Sequence, residues 1–254
     1  MTWRRTRLVC DCHCHVGAFY DELKGQQVSC RADILSGLMV RAGVDIALVS
    51  CIGASRDPVK ANSRLLDELA SYSGLLPVLW VTPGSMSVEV AAALVSQGFL
   101  GLKFHPTMGR YQADSTVVDP YLELCRKHRI PALFHCAADD YCAPERYAWL
   151  AKRFPDVDII LAHMNLFGNP WDAVRVAEEH ERVYLDTSWA GPEAVLYAYR
   201  RLGPAKILWG TDAPLGGQSH YRDEKVRKLV ESELPEHDAG LILFGNAARL
   251  YRLR

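Results

Sequence analysis

Short apolar, β-branched runs recur along this chain with helical patterns between them, at residues 8–15, 45–51, 75–82, 99–105, 130–136, 158–164, 183–189 and 206–212. Their starts are roughly 23 to 37 residues apart, room for a crossover helix each time. Strand alternating with helix implies a parallel sheet, and eight such units favour closure into a (β/α)8 barrel. The competing architecture, an open doubly wound sheet, usually carries a Gly-rich phosphate loop after an early strand, and the sequence has none. A length of 254 residues suits one such barrel. No linker, charge block or repeat interrupts the pattern, so residues 1–254 read as one α/β domain.

The intervening segments carry helix signals. Leu65, Leu66 and Leu69 fall on one face of the pattern at 60–72. Asp119-Pro120 supplies a capping carboxylate followed by proline at the first helical position, and Pro144, Pro170 and Pro192 stand near other helix starts. The segments 16–30, 106–118 and 213–221 read as the longest loops at the carboxyl ends of the strands, the last with a Gly216-Gly217 pair. A net charge of −1 argues against the broad basic field of a nucleic-acid binder. No apolar run reaches eighteen residues, and the N-terminal stretch lacks the apolar centre of a secretory signal, so no membrane partner is expected. The eight cysteines, several inside strand-like runs, read as reduced packing residues of a cytoplasmic protein.

In a barrel, chemistry sits at the carboxyl ends of the strands. Strand 1 ends Asp11-Cys12-His13-Cys14-His15. Strand alternation puts His13 and His15 on one face and Cys12 and Cys14 on the other, which sets the cysteines against the helices when the histidines face the axis. Asp11 then shares the histidine face one step deeper, either as a partner orienting an imidazole or as part of a polar floor. Strand 5 ends at His135, strand 6 at His163 and strand 8 at Asp212, each an apolar run stopping at one ionisable residue. Neutral imidazoles with a carboxylate suit zinc, iron and manganese. Strand 4 places Lys103 and His105 on one face, and a lysine aimed into a barrel needs a purpose: a carboxylate partner, an anionic substrate, or carboxylation by CO₂. Arg110 and Tyr111 in the following loop could grip a carboxylate or phosphate of the substrate. Trp189 and Trp209 read as packing.

These pieces, DCHCH at 11–15, GLKFHP at 101–106, FH at 134–135, LAHM at 161–164, LDTSW at 185–189, WGTDAP at 209–214 and GNAARL at 245–250, run in one order over almost the whole chain. Together they resemble the amidohydrolase superfamily, in its amidohydrolase-related branch that also contains decarboxylases and hydratases. The resemblance implies one or two divalent metal ions, zinc foremost, with iron or manganese as alternatives. His13, His15 and Asp212 would hold the first. His135 would complete a one-metal site, leaving His163 as acid/base or substrate contact; in a two-metal site His135 and His163 would hold the second ion and a carboxylated Lys103 would bridge both.

The activity expected is hydrolysis of an amide, lactone, ester or thioester of a small molecule. Asp212 would move the proton of the attacking water, and His163 or His105 would steady charge on the carbonyl oxygen. The alternative is a metal-dependent decarboxylase or hydratase. A nuclease is disfavoured by the charge balance, and a non-catalytic barrel would bind no metal. Pairing through exposed helices as a homodimer is the expectation for oligomeric state.

Overall fold

The computed structural model describes residues 7–21, 26–55, 57–215 and 224–253; Gly216 and Gly217 lie outside them. Its strands are β1 (Cys10–Asp21), β2 (Gln26–Cys30), β3 (Ile46–Cys51), β4 (Leu75–Pro77), β5 (Leu79–Val81), β6 (Leu102–Phe104), β7 (Ala132–Ala137), β8 (Ile159–Leu166), β9 (Val183–Asp186) and β10 (Ile207–Leu208). The helices are α1 (Ala32–Ala42), α2 (Pro58–Leu69), α3 (Val88–Val95), α4 (Pro106–Gly109), α5 (Asp119–His128), α6 (Pro144–Arg153), α7 (Pro170–Glu179), α8 (Pro192–Leu202), α9 (Glu224–Glu233), α10 (Glu236–Gly240) and α11 (Asn246–Tyr251).

Parallel pairing runs β1-β3-β4 and then β5-β6-β7-β8-β9-β10. The two sheets join where Val78 interrupts one extended run. Its N–H bonds Val49 O at 2.8 Å, while Leu79 N turns to Gly101 O at 2.9 Å. The ring closes between the last strand and the first: Cys12 N bonds Trp209 O at 3.1 Å, Asp212 N bonds His13 O at 2.8 Å and His15 N bonds Ala213 O at 2.7 Å. The fold is the α/β TIM barrel that the alternating runs imply.

Two local readings are corrected. The described residues of segment 16–30 are strand and not loop: β1 runs on past Val16 and pairs antiparallel with β2, with Gly17 opposite Cys30. The sequence carries that strand as a short alternation, Val28 and Cys30 buried and Gln27 and Ser29 exposed. Asp119 is the first residue of α5 and not its cap, and its carboxylate holds Arg153 at 2.7 Å. Pro144, Pro170 and Pro192 do open α6, α7 and α8.

The barrel interior is apolar at its lower end, where Cys10, Cys12, Leu48, Leu133, Ile160 and Leu208 pack against Leu250 and Tyr251 of α11. That plug needs Gly101, because a β-carbon there would stand 2.8 Å from the Tyr251 ring. His15, Lys103, His105, His135, His163 and Asp212 gather at the opposite end.

Candidate active site

The chain breaks its own alternation to load that upper end. Pairing of β1 with β3 shifts register between Asp11 and Cys14, a bulge. Cys10 and Cys12 therefore join the axis cluster and only Cys14 joins the outer layer, although His13 and His15 still face the site. This corrects the simple parity of strand 1, and all the cysteines remain free. Asp11 does not orient an imidazole. Its carboxylate accepts from Thr211 Oγ1 at 2.5 Å, from Thr211 N and from His13 N, fastening the seam of the ring.

Left-handed backbone delivers two further residues. His163 (φ 67°) turns inward just after the inward Ala162, and Asp212 (φ 61°) turns at the end of the last strand. Non-glycine residues in this region concentrate at functional sites. Lys103 and His105 come from β6 and the residue after it; the His105 Nδ1 accepts from Met108 N at 3.3 Å and caps α4.

These side chains meet. Asp212 Oδ1 lies 2.9 Å from His15 Nε2 and 3.3 Å from His13 Nε2. Lys103 Nζ lies 3.0 Å from His13 Nε2. His135 Nδ1 lies 3.1 Å from His163 Nε2, and the His105 ring stacks on His135 at 3.8 Å. All seven line or border a cavity of about 210 Å³ whose other walls include Ile52, Trp80, Phe167, Trp189 and Leu215. Arg110 and Tyr111 are not brought there. Arg110 is exposed and the Tyr111 hydroxyl is buried away from the cavity walls.

The far sides of the imidazoles are held. Asp186 Oδ2 takes His13 Nδ1 at 2.7 Å and Ser188 Oγ at 2.6 Å, and Ser188 Oγ takes His163 Nδ1 at 2.9 Å. His15 Nδ1 faces the Ser50 carbonyl at 3.3 Å. With protons engaged at the Nδ1 atoms, the Nε2 lone pairs of His13 and His15 both point at a carboxylate oxygen. Electron-rich atoms so placed ask for a cation between them, and the donor set fits a divalent metal ion. A second trio, His13, His163 and Asp186, meets on the Nδ1 side, where the Ser188 hydroxyl already completes a hydrogen-bonded chain.

Electrostatics agree. Burial, then the charge of Lys103, drives the His13 imidazole well below its ordinary range, and burial with the neighbouring His135 does the same to His163 and His105. Burial also takes His135 down to about 3 and the Lys103 amine to about 8. Burial pushes the Asp212 carboxyl up, but His13, His15 and Lys103 more than reverse it and hold it below the usual carboxylate range. At neutral pH the site presents neutral imidazoles at His13, His105, His135 and His163 and an ionised Asp212 carboxylate.

Four contributors escaped the sequence reading of roles. Trp189, read as packing, donates Nε1–H to Asp212 Oδ2 at 2.7 Å, because its own left-handed backbone (φ 64°) swings the ring inward. Asp186, Ser188 and Ser50 hold imidazoles from behind. The signal was the glycine of WGTD: a β-carbon at Gly210 would stand 2.1 Å from Asp186 Oδ1, so the pair must be read together.

The amidohydrolase family model matches residues 10–253. The chain belongs to the amidohydrolase family. No curated protein sequence matches it. Among solved structures, this amidohydrolase superposes on a 2,6-dihydroxybenzoate decarboxylase from Rhizobium with a TM-score of 0.74, at 17% identity over 98% of this chain and 99% of that one. A 5-carboxyvanillate decarboxylase from Novosphingobium aromaticivorans, complexed with manganese and 4-hydroxy-3-methoxy-5-nitrobenzoic acid, gives 0.69 at 13% identity over 98% and 97%. A probable 2-pyrone-4,6-dicarboxylic acid hydrolase from Acinetobacter baumannii gives 0.71 at 13% identity over 96% and 99%. No helix among the described residues is long and apolar enough to cross a membrane.

Proposed function

We propose that this amidohydrolase is a metal-dependent hydrolase that cleaves a carbonyl–heteroatom bond of a small molecule, with residues 1–254 acting as one catalytic domain. The observation that carries this reading is the convergence of His13 Nε2 and His15 Nε2 on Asp212 Oδ1. His13, His15 and Asp212 would hold one ion; His135 and His163 would hold a second, with Lys103 carboxylated on Nζ as the bridge. A divalent metal bound there supplies Lewis acidity and lowers the pKa of water to about 7.

The protein's own groups do the rest. Asp212 accepts the proton of the attacking water and returns it to the leaving group, while Trp189 fixes the carboxylate plane through Oδ2. The His105 Nδ1 is engaged as an acceptor, so its Nε2–H is the proton available to the carbonyl oxygen as charge develops there. The cavity, about 210 Å³ and largely apolar, fits a small substrate.

Two substitutions probe the support of the site. Asp186→Asn removes the carboxylate behind His13 and is expected to weaken metal affinity about 10- to 100-fold, read by competition with a chelator. Trp189→Phe keeps an aromatic wall but loses one charge-assisted hydrogen bond. We expect kcat/KM to fall by about 10- to 100-fold with metal content unchanged.

A lyase reading is favoured by one observation, the decarboxylases among the similar folds. The deciding experiment assays the protein, after elemental analysis, on a panel of lactones, esters and amides and on aromatic carboxylates. Uptake of ¹⁸O from labelled water into a carboxylate product supports hydrolysis. Release of CO₂ with no turnover of the panel overturns it, and protein without metal from supplemented medium overturns both readings.

A further inference from the structure

A second cavity, larger than the catalytic one, lies at the other end of the barrel. About 450 Å³ in volume, it opens beside the amino ends of β7, β8 and β9, against α5 and α11. Arg126, Arg129, Arg182, Arg249 and Arg252 line it, and among the described lining residues Asp156 and Asp158 are the acidic ones, five positive charges against two negative. The whole chain carries a net charge of −1, so this excess is local.

The arginines divide into two kinds. Arg126 is paired with Asp156 at 3.0 Å, Arg182 with Asp158 at 3.0 Å, and Arg249 donates to the Tyr184 hydroxyl and to Ala205 O. The side chains of Arg129 and Arg252 make no hydrogen bond or ion pair with any described residue. Both close their helices in left-handed backbone, φ 53° and 55°, a position that favours glycine. Among the described residues these two exposed cations are unpaired, in a conformation that favours glycine, on the rim of a basic hollow. Its accessible lining is mostly polar, since Cys125, Val157 and Leu250 beneath it are almost fully buried.

We propose that this cavity binds a small phosphorylated molecule, with Arg129 and Arg252 as its principal phosphate contacts. Guanidinium forks match phosphate oxygens two at a time, and a mostly polar lining suits a hydroxylated carbon skeleton. The volume is that of a small-molecule site, larger than the catalytic cavity and remote from its side chains.

The test uses Arg129→Gly, Arg252→Gly and the double variant, with inorganic phosphate and a hexose bisphosphate as probes, by calorimetry at fixed ionic strength. Glycine suits both backbone positions, so melting temperature should hold or rise while the charge is lost. We expect saturable bisphosphate binding to the wild type, weakened about tenfold or more in the double variant, with metal content unchanged. Absence of saturable binding, or equal binding by the double variant, overturns the proposal. Phosphate alone binding as tightly as the bisphosphate would show a site for the free anion and not for a phosphorylated molecule, and overturns the proposal. None of these outcomes touches the hydrolase reading, whose residues lie at the opposite end.

Discussion

Asp212→Asn is expected to lower kcat/KM by about 10²- to 10⁴-fold, the range for removing a positioned acid/base group. The substitution preserves size and leaves the Trp189 donor facing an amide in place of a carboxylate. It removes the one anionic oxygen on which His13 Nε2 and His15 Nε2 converge, so metal content should fall together with rate. That coupling separates this role from a structural one, because a folding defect would lower soluble yield and circular dichroism first. Steady-state kinetics on the substrate found in the panel, with elemental analysis of the same sample, provides the check. Full activity with full metal would end the assignment of Asp212.

What the sequence carried most clearly was the repetition. Eight apolar runs at crossover spacing imply a barrel, and the seam between Cys14 and Ala213 closes it. The ligand candidates were legible for a related reason: His135 and Asp212 end apolar runs, where a polar side chain has nowhere to go but the mouth. Parity was less dependable, since it assumes uninterrupted strands. A bulge after Asp11 put Cys12 at the axis, and left-handed residues turned His163 and Trp189 inward against the alternation. Such turns leave no periodic trace. The partners behind the imidazoles were illegible individually, because Asp186 and Ser188 acquire their roles only when Gly210 lets the neighbouring strand approach.

Lys103 is where rate, metal count and stability should part company. Its side chain is fully buried and its amine lies 3.0 Å from His13 Nε2, so as an ammonium it would repel any ion held by that nitrogen. On the proposed two-metal reading, carboxylation would resolve the conflict: the amine would add to CO₂ and lose a proton, giving an anionic carbamate in place of the ammonium. Lys103→Met, close in shape and uncharged, is therefore expected to cut kcat/KM by roughly a hundredfold or more, the scale of losing one group that acts on developing charge. Elemental analysis should read one ion per chain in place of two. Thermal unfolding of the metal-free protein should move the other way, with a melting temperature equal to or above the wild type, because a buried charge gives way to an apolar chain. Full turnover with a single ion would instead remove the bridge from the mechanism and, with CO₂ released, leave the decarboxylase reading standing.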